Sequence, residues 1–102
     1  MNGNRIERTI RAFVRGRVQK VGYRAWVNAH AVALGLNGFV RNRSDGSVEA
    51  VFSGDADRVA QIAESLLRGP PKADVTGVQI TEETEEALSE TFGAHFVVLP
   101  TR

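Results

Sequence analysis

The hydrophobic pattern changes period abruptly across one nine-residue stretch, residues 16–24, and this change constrains the fold more than any other sequence feature. Before the stretch, apolar residues alternate with polar ones as in a half-buried β-strand, at Ile10, Ala12 and Val14. After it, apolar residues recur at the spacing of one helix face, at Tyr23, Val27, Ala31 and Leu34. The sequence therefore predicts a strand, a loop and a helix in immediate succession, with Gly35 ending the helix.

The predicted junction reads Gly16-Arg17-Val18-Gln19-Lys20-Val21-Gly22-Tyr23-Arg24. A loop that leads into a helix N-terminus presents several backbone N–H groups, and the positive end of the helix dipole, to one point. Phosphate, sulfate or carboxylate groups suit such a cradle, and Arg24 can add a planar cationic fork. From this spacing alone, a plain tight turn with a solvated Arg24 is an equal alternative, because short glycine-containing loops are common.

The composition is typical of one folded domain. With 102 residues, of which 42% are hydrophobic, the chain can bury a core, so we expect a flexible arm at residues 1–8 and a domain at residues 9–102. The absence of cysteine excludes disulfides, thiol catalysis and cysteine-based zinc sites. Residues 1–10 are too polar for a signal-peptide core, and no apolar run approaches membrane-spanning length. These features predict a cytoplasmic protein that does not cross a membrane.

Charge is distributed unevenly although the net charge is only +1. Nine of the 13 basic residues lie at or before position 44, where Glu7 is the single acid. An asymmetry of this kind indicates an anionic partner for the N-terminal half. It does not distinguish a small phosphate compound from a nucleic acid.

Three further segments carry clear structural signals. Asp45-Gly46 separates two strand-like runs, residues 38–42 and 47–53, and so predicts a β-hairpin. Asp55 suits the N-cap of a second helix that ends before Gly69-Pro70-Pro71. Strand-like runs follow at residues 75–80, where Gly77 suggests a bulge, and at residues 96–99.

The order of these elements predicts the fold class. Strand, helix, strand, strand, helix and strand, with one short strand added at the end, is the α+β ferredoxin-like βαββαβ pattern. Right-handed crossovers then place both helices on one face of an antiparallel sheet. In that arrangement the first loop and the N-terminus of the first helix lie at one end of the sheet.

The sequence holds few groups for conventional catalysis. It has no supported Ser/His/Asp set and no nucleotide-binding glycine motif, and its two histidines have no ligand-spaced partners, so we expect no metal site. The dense glutamates between Glu82 and Glu90 indicate a solvated loop or short helix rather than an acid–base pair. The candidate site is therefore reduced to the glycine loop, Arg24 and Asn42, which ends the second predicted strand.

Two segments carry a resemblance to a known family. Residues 16–24 closely resemble the first signature of the acylphosphatases, and residues 38–49, from Gly38-Phe39-Val40-Arg41-Asn42 onward, resemble the second. Both occur in order and at the usual separation, while Pro71-Lys72-Ala73-Asp74-Val75 resembles a weaker third segment. The similarity spans roughly residues 9–99, and two long signatures in register are much more specific than the loop alone. The fold of this family is also ferredoxin-like.

The resemblance implies hydrolysis of a carboxyl–phosphate anhydride without a cofactor or metal. It assigns phosphate binding to the backbone N–H groups of Gly16, Arg17, Val18, Gln19, Lys20 and Val21. It also implies that Arg24 binds the phosphate oxygens and that Asn42 holds the attacking water. It further implies a small-molecule acyl phosphate as substrate, inorganic phosphate as product and inhibitor, no nucleic-acid or membrane partner, and a monomer.

Two residues depart from the family pattern. Lys20 stands where glycine is usual, so either it adopts an ordinary backbone conformation or the loop carries strain on the order of 1 kcal/mol. Its ammonium group can attract phosphate or point into water, and we favour water. Tyr23 stands where phenylalanine is usual, which requires a partner for its hydroxyl.

Two other functions remain compatible with the sequence. The first is a non-catalytic module that binds phosphate or carbamoyl phosphate, since acylphosphatase-like domains also occur inside larger maturation proteins. The second is RNA binding on the sheet, which would need exposed aromatic residues such as Phe13 and Phe39 on the central strands.

Overall fold

A computed structural model describes residues 6–91 and 95–102 of the chain. The strands are β1 (Glu7–Arg17), β2 (Asn37–Asn42), β3 (Val48–Asp55), β4 (Asp74–Glu82) and β5 (Phe96–Val98). The helices are α1 (Tyr23–Ala33) and α2 (Ala56–Ser65), and a 3₁₀ helix spans Glu85–Thr91. The predicted βαββαβ order is therefore confirmed, and the fold is ferredoxin-like α+β.

The strands form one five-stranded sheet in the order β4-β1-β3-β2-β5. β1 pairs antiparallel with β3 and β4, and β2 pairs antiparallel with β3. β5 lies parallel to β2, so the sheet is mixed: the predicted antiparallel pairing holds for β1 to β4 but not for this short added strand. The chain after β4 crosses to the opposite edge, where it enters beside β2 in the same direction. The 3₁₀ helix on this connection contacts β2 and β3.

The helices cover one face of the sheet and bury the main core. The predicted strand positions Ile10, Ala12 and Val14 are fully buried against apolar residues of both helices. These residues follow the predicted stripes and include Tyr23, Val27, Ala31, Val59 and Ile62, together with Leu66 just after α2. Burial of complete apolar side chains contributes about 1.5–3 kcal/mol each, which is why the period of the pattern determines the packing.

The start of β1 differs from the prediction. The predicted arm at residues 1–8 was wrong for its last residues, because β1 begins at Glu7, which pairs with Asp55. The Ala56 N–H also donates to the Ile6 carbonyl at 2.8 Å. β3 extends two residues beyond the predicted end, and this extension gives the polar start of β1 a backbone partner. Residues 1–5 of the predicted arm lie outside the described residues.

The two predicted local signals for turns and bulges are confirmed. Asp45 and Gly46 lie in the turn between β2 and β3, where Asp45 Oδ1 accepts hydrogen bonds from the Ser47 N–H and hydroxyl. The register of β1 with β4 shifts between Arg15, which pairs with Gly77, and Gly16. Both features lie at the end of the sheet that carries the glycine loop, and they shape the surroundings of that loop.

Candidate active site

The glycine loop connects β1 directly to α1 at one end of the sheet. Gly22 is the N-cap of α1 with φ 82° and ψ 13°, a left-handed conformation that glycine adopts without steric cost. No side chain caps this helix N-terminus and its first turn holds no acid. The uncapped N–H groups and the dipole therefore favour an anion at this end of α1.

Lys20 has a left-handed backbone conformation, with φ 63°. Of the two possibilities left by the sequence, the loop thus adopts the strained one. A β-carbon in this region of φ/ψ space costs roughly 1–2 kcal/mol, which explains why glycine suits the position. Lys20 is solvent-exposed and lines the cleft described next.

Arg24 and Asn42 open onto the same cleft, although they are 18 positions apart in sequence and lie on different elements. The cleft has a volume of about 290 Å³ and is lined by Val18, Lys20, Gly22, Tyr23, Arg24, Ala25, Asn42 and Val98. Arg24 extends from the first turn of α1 and Asn42 from the end of β2. The fold therefore brings part of the glycine loop, the arginine and the asparagine to one cleft.

Two polar side chains in this cleft, those of Asn42 and Arg24, have groups that can bind a ligand. Asn42 is 9% exposed, and no donor from the described part of the chain reaches its Oδ1. The Arg24 guanidinium makes no ion pair with any residue in the ranges 6–91 and 95–102. Leaving a buried acceptor such as Asn42 Oδ1 unpaired costs stability, which is typical of a group that binds a polar ligand. The half-buried Arg24 guanidinium lies in the same cleft, where it can bind an anion.

The other predicted loop residues have different surroundings. Gly16 and Arg17 belong to β1, pair with Val75 and Asp74, and do not line the cleft. A β-carbon on Gly16 would lie 2.2 Å from the Asp74 carbonyl oxygen, so glycine is required there by close strand packing. Gln19 directs its side chain to the β2–β3 hairpin. Val21 is partly buried and packs against the core.

Most basic residues of the N-terminal half form ion pairs within the protein. The pairs join Arg8 to Glu82, Arg11 to Glu49 and Glu83, Arg15 to Asp45, and both Arg41 and Arg43 to Glu49. The charge asymmetry of the sequence therefore overstates the positive charge available to a partner. At the cleft the cationic side chains are Lys20 and Arg24.

β5 also contributes to the cleft, which the sequence pattern did not predict. Val98 lines the cleft and is 46% exposed, which makes it an apolar surface beside Asn42 and Arg24. The apolar run at residues 96–99 predicted a strand, but only its parallel pairing with β2 places Val98 here. No motif in the sequence marks this residue.

The Tyr23 hydroxyl has the hydrogen-bond partner that a tyrosine requires at this position, where phenylalanine is usual in the family. Its ring is almost fully buried between the helices, and its hydroxyl donates to the Leu66 carbonyl at 2.8 Å. Burial raises the pKa of this hydroxyl above its ordinary value. Tyr23 therefore remains a neutral packing residue that joins α1 to the end of α2.

Two properties of the described residues bear on function classes. Residues 6–91 and 95–102 contain no cluster of three His, Cys, Asp or Glu side chains suited to a metal ion. Within the same ranges, none of the helices has the length and apolar character needed to span a bilayer.

Comparison with known proteins identifies the family. The acylphosphatase family model matches residues 10–94. An acylphosphatase of Bradyrhizobium diazoefficiens is 48% identical over 95 residues, which cover 90% of this chain and 94% of that protein. The structure of an acylphosphatase from Coxiella burnetii superposes with a TM-score of 0.81 at 38% identity, covering 91% of this chain and 93% of that one. The structure of an acylphosphatase from Bacillus subtilis superposes with a TM-score of 0.79 at 34% identity, covering 92% of this chain and 99% of that one. The chain therefore belongs to the acylphosphatase family, the hydrolases of acyl phosphates.

Proposed function

We propose that Arg24 and the backbone N–H groups of the loop bind the phosphoryl group of an acyl phosphate while Asn42 orients the attacking water. The observation that carries this proposal is the shared cleft at the N-terminus of α1, where the Arg24 guanidinium and Asn42 Oδ1 both lack protein partners in the described chain. Asn42 Oδ1 is an acceptor, so it can receive a hydrogen bond from a water molecule.

The proposed reaction forms one bond to phosphorus and breaks another. The water oxygen attacks phosphorus, and the bond between phosphorus and the acyl oxygen breaks with its electron pair remaining on the carboxylate. A carboxylate is a weak base, with a pKa of about 4, so it leaves without a general acid. Asn42 is neutral and a poor base, and a phosphate oxygen of the substrate takes the proton of the water. The products are the carboxylate and inorganic phosphate.

Charge stabilisation is the main task of the protein in this proposal. Phosphoryl transfer depends mostly on positioning and on stabilising charge at the phosphate oxygens. Arg24 supplies a full charge, and the uncapped first turn of α1 supplies aligned N–H dipoles. Because these groups complete the charge requirement, the reaction as proposed proceeds without a metal ion or cofactor.

Benzoyl phosphate hydrolysis in excess chelator tests the two assigned residues. We expect Arg24→Ala and Asn42→Ala each to lower kcat/KM by at least ~10²-fold, by analogy with other preorganised donors. Arg68→Ala and Asn28→Ala are matched controls, since neither residue lines the cleft, and they should retain the wild-type rate. Wild-type activity in either cleft variant would contradict its assignment.

The same assay separates the enzyme from a non-catalytic module that binds phosphate or carbamoyl phosphate. An enzyme of the proposed kind hydrolyses benzoyl phosphate and is competitively inhibited by its product, inorganic phosphate. A binding module would bind phosphate, measured by calorimetry, without turnover. The proposal favours the enzyme because Asn42, which a phosphate-binding role does not need, lies in the cleft.

We further propose a cytoplasmic monomer that does not bind nucleic acid. The absence of cysteine is typical of a reducing compartment. RNA stacking would need accessible aromatic rings on the central strands, but Phe39 is 0% exposed and Phe13 is only partly exposed. Light scattering after gel filtration tests the monomer, and a salt-sensitive affinity for single-stranded RNA would contradict the last part of this proposal.

A further inference from the structure

The Gln19 side chain joins the glycine loop to the β2–β3 hairpin. Its Nε2 donates one hydrogen bond to the Arg43 carbonyl at 2.8 Å and another to the Ser47 carbonyl at 2.9 Å. A carboxamide nitrogen has two protons, so both are used in this link. The two acceptors are 24 and 28 residues away in sequence.

Both acceptors lie immediately beside Asn42. Arg43 follows Asn42 in the chain, and the Arg43 N–H donates to the Ser47 carbonyl at 2.8 Å, closing the hairpin. Asn42 itself pairs with Val48, the residue after Ser47. Gln19 thus contacts the two backbone positions that flank the Asn42–Val48 pair on the turn side.

The hairpin is held firmly by contacts of its own. Asp45 Oδ1 accepts hydrogen bonds from the Ser47 N–H at 2.9 Å and its hydroxyl at 2.6 Å. The Arg43 guanidinium donates to Glu49 Oε1 at 3.1 Å. Since these contacts fix the hairpin without Gln19, the Gln19 link acts to hold the loop at a set distance from it.

We propose that Gln19 is a positioning residue that sets the distance between the N–H groups of the loop and the side chain of Asn42. The inference rests on the proposed function, in which the loop holds the phosphoryl group and Asn42 holds the attacking water. The Gln19 side chain does not itself touch the reacting atoms and acts through Asn42. Misplacement of reacting groups by about 1 Å can cost ~10²-fold in rate, so a link of this kind affects turnover strongly.

The first test compares kcat with KM for benzoyl phosphate. We expect Gln19→Ala and Gln19→Glu to lower kcat at least about tenfold, since neither retains the two donor protons. KM and the inhibition constant of inorganic phosphate should change less than about threefold, because Arg24 and the loop N–H groups remain. Gln79→Ala and Gln79→Glu repeat the same changes on the exposed surface of β4 and should behave like wild type. A wild-type kcat in Gln19→Glu would overturn the proposal.

A double-mutant cycle tests whether Gln19 acts through Asn42. In an Asn42→Ala background, adding Gln19→Ala should reduce kcat less than about twofold further, since residues that act as a unit are not additive. A further tenfold loss in that background would overturn the proposed route through Asn42. The matched control adds Gln79→Ala to Asn42→Ala and should leave the kcat of Asn42→Ala unchanged.

Amide hydrogen exchange tests the link without requiring turnover. The N–H of Val18, a buried loop residue next to Gln19, should exchange at least about fivefold faster in Gln19→Ala than in wild type. The Arg43 N–H, which the hairpin's own contacts hold, and core amides such as that of Val14 should keep their protection. Unchanged exchange at Val18 would overturn the proposed role of the link. A wild-type protein that fails to hydrolyse benzoyl phosphate would overturn the proposed function instead, so the two failures are distinguishable.

Discussion

At the scale of single residues, Lys20 shows a conflict between a local preference and the fold. Its φ of 63° lies in the region that glycine occupies freely and that side chains with a β-carbon occupy at a cost. The surrounding chain enforces this angle, because Gln19 is tied to the hairpin and Val21 packs against the core. Strain of this kind is often found at functional sites, where the surrounding structure compensates for it.

Replacing Lys20 with glycine should therefore stabilise the protein. We expect Lys20→Gly to raise the free energy of unfolding by up to about 1 kcal/mol, the relief of strain being partly offset by the greater freedom of glycine in the unfolded chain. Urea unfolding measures the change. Lys20→Ala keeps the β-carbon and is the matched control, so equal stability of the alanine and glycine variants would contradict this explanation. A rise in KM for benzoyl phosphate shared by both variants would assign a substrate-attracting role to the ammonium group.

At the scale of elements, the β2–β3 hairpin depends on the Asp45 carboxylate. Hydrogen bonds from the Ser47 hydroxyl and N–H, with a smaller contribution from Arg15, lower the pKa of Asp45 from 3.8 to about 2. The folded protein thus stabilises the charged form of the Asp45 carboxyl relative to the unfolded chain. The hairpin also carries Asn42 at its base, so its turn supports the cleft.

The stabilising effect of this carboxylate should depend on pH in a defined direction. Because the folded-state pKa is lowered, the contribution is fully present above pH 4 and is lost as the pH falls towards about 2. Asp45→Asn should therefore be less stable than wild type at pH 7, with the two stabilities converging near pH 2. Thermal unfolding over this pH range provides the measurement. Asp74→Asn, an exposed carboxylate at the start of β4, is the control, and a pH-independent difference for Asp45→Asn would contradict the assignment.

At the scale of the whole molecule, a buried ion cluster joins three strands and the segment after β4. Glu49 is 3% exposed and accepts hydrogen bonds from Arg11, Arg41 and Arg43. Arg11 also donates to Glu83 at 2.9 Å. The cluster lies on the sheet face away from the core, since these strand positions alternate with the buried apolar ones. It thereby connects the chain beyond β4 to the strands that carry the site.

Removal of the central carboxylate should destabilise the whole fold. Glu49→Gln leaves three arginines around a neutral group, and breaking a buried ion pair on one side typically costs about 3–5 kcal/mol. Denaturant unfolding should show this loss as a lower midpoint with an unchanged slope. Glu64→Gln, on the exposed surface of α2, provides the control and should change stability by less than about 0.5 kcal/mol. An equal effect of the two substitutions would contradict the central role of Glu49.

The sequence by itself determined the elements and much of the site because these depend on local patterns. The change of period at residues 16–24, the Asp45-Gly46 turn and the helix stop at Gly35 each follow from backbone geometry or from which face of an element is apolar. The two signatures also indicated Arg24 and Asn42, and the fold brings both to one cleft. Their catalytic roles remain predictions that the variants above test.

Only the tertiary structure decided the features that depend on distant pairing. The parallel entry of β5, and with it the place of Val98 in the cleft, results from where the chain returns after crossing the sheet. The pairing of the basic residues with Glu49, Glu82 and Glu83 follows from strand register, which the composition does not contain. The Gln19 link and the backbone angle of Lys20 likewise arise because the hairpin packs beside the loop. Long-range register and packing set these contacts, and a local sequence pattern contains information on neither.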